Sequence, residues 1–139
     1  MFKRILLAVD GSDHAIRAAK VAAELAKCMQ AELRVVVVYE AVPSYLGEPD
    51  LQGAINARLS EAQEILQKAV TALGDISGEV HTEMLEGNSA EAIIEVAKTR
   101  NSDMIVMGSR GLGRLAGLVL GSTSQKVVSH APCPVLIVR

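Results

Sequence analysis

The chain has 139 residues, the size of one domain, and half of them are apolar, so a single core can form. Ala, Val, Leu and Ile dominate while aromatics make up 2% and Trp is absent, which argues against a surface that stacks exposed bases and for branched strands packed on Ala-rich helices. The net charge is −2, but every acid lies at or before Asp103, so Arg110, Arg114, Lys126 and Arg139 give the tail +4 and leave −6 before it. A locally basic segment in an acidic protein points to an anion site rather than to nucleic acid.

Ile5 to Val9 is a short apolar run closed by Asp10-Gly11-Ser12-Asp13, the pattern of a strand buried on both faces. Ala15, Ala18, Ala22, Leu25 and Met29 then recur at helical spacing, with Ser12 or Asp13 as the cap. Leu33 to Tyr39 contains four consecutive valines, as central parallel strands do. Pro43 to Gly53 reads as a loop, and Ile55, Leu59, Ala62, Leu66, Ala69 and Leu73 trace a second helix. Val80 to Leu85 alternates like a strand nearer the edge. Asn88 and Glu91 resemble a capping box ahead of a third helix. Met104 to Met107 is a fourth strand, Ser122 to His130 a fourth helix and Val135 to Val138 a fifth strand.

This β-α alternation, without linker or repeat, predicts one α/β domain over 1–139, with a five-stranded parallel sheet and four helices divided between its faces. Ligands of such sheets bind at the carboxyl ends of strands where the strand order reverses. Cys28 and Cys133 form no C-x-x-C pair and read as packing thiols of a reducing compartment. The apolar run at the N-terminus stops at Val9, too early for a signal peptide or a membrane span, so the expected location is cytoplasmic.

The chemistry gathers after the fourth strand, in Gly108-Ser109-Arg110-Gly111-Leu112-Gly113-Arg114, followed by Gly121-Ser122-Thr123-Ser124. Glycines let successive amides form a concave anion nest, a helix start offers free N–H groups, and the two arginines add charge. Gly111 and Gly121 are expected where a Cβ would obstruct the phosphates. No P-loop is present. Gly111-x-Gly113-x-x-Ala116 matches the dinucleotide fingerprint, but the acid it needs about twenty residues later is missing, which disfavours NAD. Asp10, beside the expected phosphates, reads either as a helix-capping residue or as a ligand for Mg²⁺ shared with phosphate oxygens. His14, His81 and His130 show no metal-ligand spacing and read as surface or capping residues. No nucleophile–base pair is legible.

The spacing Gly108-x2-Gly111-x9-Gly121-Ser122, with Ile5 to Ser12, Asp103 to Gly108 and Cys133 to Val138, resembles the universal stress protein family (UspA-like) in its ATP-binding subgroup, over the whole chain. The resemblance implies the Rossmann-like, adenine nucleotide alpha hydrolase-like fold with strand order 3-2-1-4-5. It implies ATP as ligand, with Ala8, Val9 and Asp10 lining the adenosine pocket and the Val38 backbone meeting adenine. Gly108 would lie near the ribose, Ser109, Arg110, Gly111, Leu112, Gly113 and Arg114 around the phosphates, and Gly121, Ser122, Thr123 and Ser124 at the helix start. Ala8 stands where many relatives have Pro, a change that a backbone contact survives. The expected role is nucleotide-dependent regulation of a stress response through shape or a regulatory protein partner. The alternatives are a slow ATPase or phosphotransferase on the same site, or a binder of AMP or a cyclic adenine nucleotide. The family also implies a homodimer, which the bare apolar edge Val135–Val138 would support.

Overall fold

A computed structural model describes residues 2–47, 50–109 and 120–139. Five strands form one parallel sheet: β1 (Arg4–Val9), β2 (Glu32–Tyr39), β3 (Val80–Glu86), β4 (Met104–Gly108) and β5 (Val135–Val138). Four helices connect them: α1 (Asp13–Met29), α2 (Asp50–Leu73), α3 (Ser89–Thr99) and α4 (Ser122–His130). The order across the sheet is β3-β2-β1-β4-β5, as the resemblance implied.

The unbroken apolar runs have their reason in two cores. Alternate residues of the strands face opposite sides. Ile5, Leu7, Val9, Leu33, Val35 and Val37 pack under α1 and α2. Leu6, Ala8, Val36, Ile105 and Met107 pack under α3 and α4. Leu6 and Leu7 are both fully buried, each contributing about 2–3 kcal/mol by leaving water. On α1 the buried stripe is all alanine apart from His14: Ala15, Ala18, Ala19, Ala22, Ala23 and Ala26. Small side chains let that helix lie close on the sheet. The edge strand β3 alternates between exposed and half-buried, as its sequence predicts.

Element boundaries agree with the sequence except at α2. The stretch Pro43–Gly53 read as loop, yet α2 begins at Asp50, and a short 3-10 turn occupies Ser44–Leu46. Gly53 therefore lies inside the helix. The glycine costs about 1 kcal/mol relative to alanine, which a helix of 24 residues packed through Ala62, Leu66, Ala69 and Leu73 can absorb. Asp50 in the first turn also complements the helix dipole. At α3 the Asn88 side chain accepts from the Glu91 amide at 3.1 Å, one arm of the expected capping box, while the Glu91 carboxylate faces Lys126 of α4 at 3.6 Å. Among the described residues no helix is long and apolar enough to cross a membrane.

Candidate nucleotide site

Strand order reverses between β1 and β4. The two pair in parallel from Ile5↔Met104 to Ala8↔Met107, so their carboxyl ends lie side by side. After β1 the chain turns to α1 on one face; after β4 it continues to α4 on the other. The crevice between these exits is built from Asp10-Gly11-Ser12 on one side and Gly108-Ser109 with the start of α4 on the other.

On the β1 side, Gly11 takes a φ of +87°, the left-handed region that glycine enters at least cost. This bend lets the Ser12 amide and hydroxyl both donate to Asp10 Oδ1, at 3.0 and 2.6 Å. Ser12 Oγ in turn accepts from the Ala15 amide at 3.2 Å and is the N-cap of α1. Of the capping candidates Ser12, Asp13 and Asp10, Ser12 caps the helix, Asp13 is its first residue and Asp10 holds Ser12. Ala8 and Val9 are buried with their side chains in opposite cores, so only their backbone can meet a ligand. Val38, at the end of β2, is half-buried against the second core.

On the β4 side, Ser109 is a junction. Its amide donates to Val138 O at 2.7 Å, and its carbonyl accepts from the Gly121 amide at 2.8 Å and from Ser124 Oγ at 2.9 Å. Its own Oγ shares a hydrogen bond with His14 Nδ1 at 3.0 Å. Ser124 also donates to the Gly108 carbonyl at 3.2 Å. Ser109 and Ser124 are each 2% exposed, so these two hydroxyls are turned into the protein. Gly121 is the N-cap of α4, and among the described residues no side chain caps that helix. Ser122 is exposed and Thr123 half-buried at its first turn. The φ of Gly121 is −73°, open to any residue, so its backbone conformation does not require glycine. Gly108 is different: a Cβ there would lie 2.7 Å from His14 Cβ and 3.0 Å from His14 C.

The structure therefore brings together Ala8, Val9, Asp10, Gly108, Ser109, Gly121, Ser122, Thr123 and Ser124. Arg110, Gly111, Leu112, Gly113 and Arg114 lie outside the described residues. Sequence reasoning missed His14. It read as a surface or capping residue, but it is 7% exposed because the first turn of α1 rests on Gly108. Lys126, one of the four tail cations, faces Glu91 rather than the crevice. Cys28 is exposed, whereas Cys133 is half-buried; burial first, and then the charge of Asp103, raises its thiol pKa above the ordinary 9.0. His81 does have acidic neighbours: Glu32, Glu79 and His81 bring their ligand atoms within 4.8 Å at the opposite end of the sheet. There Arg4 pairs with Glu32 at 3.4 Å and the His81 ring shares a hydrogen bond with Glu79 at 3.0 Å, so both carboxylates already have partners.

The model of one family, described as the universal stress protein family, matches residues 1–139. The chain belongs to the universal stress protein family. A Thermus aquaticus relative, "Universal stress protein in QAH/OAS sulfhydrylase 3'region", is 52% identical, with all of both chains covered. The solved structure of universal stress protein UspA from Lactobacillus plantarum superposes with a TM-score of 0.88 at 29% identity, covering 99% of this chain and 98% of that one. A universal stress protein solved in complex with cAMP superposes at 0.76 with 25% identity, covering 99% and 96%.

Proposed function

We propose that this universal stress protein binds an adenine nucleotide, ATP with Mg²⁺, in the β1–β4 crevice and uses the bound state for regulation. The observation that carries the reading is the junction at Ser109. By joining Ser109 to Gly121, it sets the glycine-capped start of α4 at the end of β4, the strand that pairs with β1. Free amides at a helix start, with the dipole behind them, attract phosphate. The segment from Arg110 to Arg114 would add the nest and two cations. The Asp10 carboxylate accepts both Ser12 donors on Oδ1, so Oδ2 would be the oxygen offered to Mg²⁺ as one carboxylate ligand. Bound there, the ion would offset phosphate charge; the residues themselves only bind and orient. Adenosine would rest on the backbone of Ala8, Val9, Asp10 and Val38, with Gly108 near the ribose.

A cyclic adenine nucleotide is the second reading, favoured by the family member solved with cAMP. Rapid catalysis is not expected. Proton transfer by a positioned base contributes about 10²–10⁴-fold to rates, and the groups seen here are otherwise engaged: Asp10 with Ser12, His14 with Ser109. Slow ATP hydrolysis or phosphotransfer is the enzymatic alternative, with Asp10 the residue to test. We further propose a cytoplasmic homodimer through the outer edge of β5, where Leu136 is 36% exposed, and a regulatory protein partner that senses the nucleotide state.

Isothermal titration with ATP, AMP, cyclic AMP, GTP and NAD, each with Mg²⁺, tests the reading. The expected order places ATP first. No heat from ATP at millimolar concentration, or tighter binding of NAD, overturns it.

A further inference from the structure

We infer that His14 is a positioning residue of the nucleotide site: it holds Ser109, and with it the start of α4, in the geometry from which phosphate is bound. The inference rests on the nucleotide reading above and names a residue to which that reading gives no role.

Among the described residues, three of the four hydrogen bonds at Ser109 use its main chain and would form with any residue there. The fourth, Oγ with His14 Nδ1, depends on both side chains. It spans 95 positions of sequence and joins the two halves of the crevice. His14 is the second residue of α1, whose start is fixed by Ser12 and, through Ser12, by Asp10. Ser109 is fixed to Gly121 and Ser124, the start of α4. The bond thus sets the distance between the carboxylate and the helix start that are meant to share one polyphosphate. Gly108 permits it, since any Cβ there would push α1 away from the strand end. The pair is buried, so deleting either side chain removes this link between the two halves and lets Ser109 shift. Adenosine rests, on the same reading, mainly on β1 and β2 backbone, with only its ribose near Gly108, so it depends least on this bond. The effect should therefore fall on affinity that comes from phosphates.

The test is titration of wild type, His14→Leu, Ser109→Ala, the double variant and His14→Asn with ATP and with adenosine. Asn places an amide near the position of Nδ1. ATP affinity should fall about 3- to 10-fold in each single variant, as for loss of one buried hydrogen bond. The double variant should be no weaker than the weaker single, His14→Asn should recover most of the loss, and adenosine should bind all five alike. Unchanged ATP affinity in His14→Leu and Ser109→Ala overturns the inference, as do equal losses for ATP and adenosine or no rescue by Asn. Where His14→Leu does not fold, Ser109→Ala alone decides between unchanged and weakened ATP binding. A wild-type protein that binds neither ligand removes the nucleotide reading itself, a result distinct from all of these.

Discussion

Adding one methyl group at Gly108 should be among the most costly small changes in the protein. Its Cβ would sit 2.7 Å from His14 Cβ, 3.0 Å from His14 C and 3.1 Å from Ala15 N. Carbon atoms in contact prefer about 3.5–4.0 Å, so the first turn of α1 and the end of β4 must separate by about 1 Å. Two of the three atoms are backbone, and no rotamer change relieves them. The turn they belong to is held by Ser12 and Asp10, and the strand end by Ser109 and Ser124, so both sides resist. Overpacking of this kind costs about 2–3 kcal/mol. With an unfolding entropy of about 2.1 cal/mol/K per residue over 139 residues, Gly108→Ala should lower Tm by about 7–10 °C. Gly53→Ala is the matched control: Gly53 is exposed inside α2 with nothing within 4 Å of its added Cβ, and should gain about 0.5–1 kcal/mol from helix propensity. Thermal and urea denaturation followed by circular dichroism read both. A Gly108→Ala protein within about 0.5 kcal/mol of wild type would show that α1 does not rest on the strand end as described.

Ser12→Ala should destabilise by about 1–2 kcal/mol through loss of the N-cap, with Ser12→Thr recovering most of it; urea denaturation showing less than about 0.5 kcal/mol for Ala would refute the capping role. At mildly alkaline pH a thiol reagent should modify exposed Cys28 before Cys133, and peptide mass spectrometry showing the reverse order would contradict the burial of Cys133. Because the folded state raises the pKa of Cys133, its protonated form is favoured in the fold: that contribution is complete below 9.0 and is lost as pH climbs through the raised value. Stability should therefore decline above pH 9.0, and Cys133→Ala should flatten the decline; an unaltered pH profile would refute the assignment. Leu136→Lys should convert the proposed dimer to monomer in light scattering, and a wild type already monomeric with and without ATP would exclude the β5 interface. Leu136 is preferable to Val138 for this purpose, since Val138 packs against the first core and a charge there would confuse folding with assembly.

The sheet was legible because each strand is read by one physical rule. Val35 to Val38 can be unbroken only where both faces are covered, and the structure covers one with α1 and α2 and the other with α3. The start of α2 was not, because Gly53 signals a turn locally, whereas the helix is held by Ala62 and Leu66 farther along. In the crevice the types of residue were legible and their directions were not. A Ser-rich helix start reads as a set of donors for a ligand, yet whether a hydroxyl faces the ligand or the protein depends on what lies across from it. For Ser109 and Ser124 the answer is inward. His14 was invisible for a related reason: metal and catalytic sets are sought at short spacings, while its partner is 95 residues away and becomes adjacent only through the parallel pairing of β1 with β4. A signal did exist in Gly108-Ser109 at the end of β4. Glycine at a buried strand end asks what backbone comes so close, and a serine directly after it asks where its hydroxyl finds a partner once it is buried. With β1 as the neighbour of β4, the element able to answer both is the first turn of α1, and its second residue is His14.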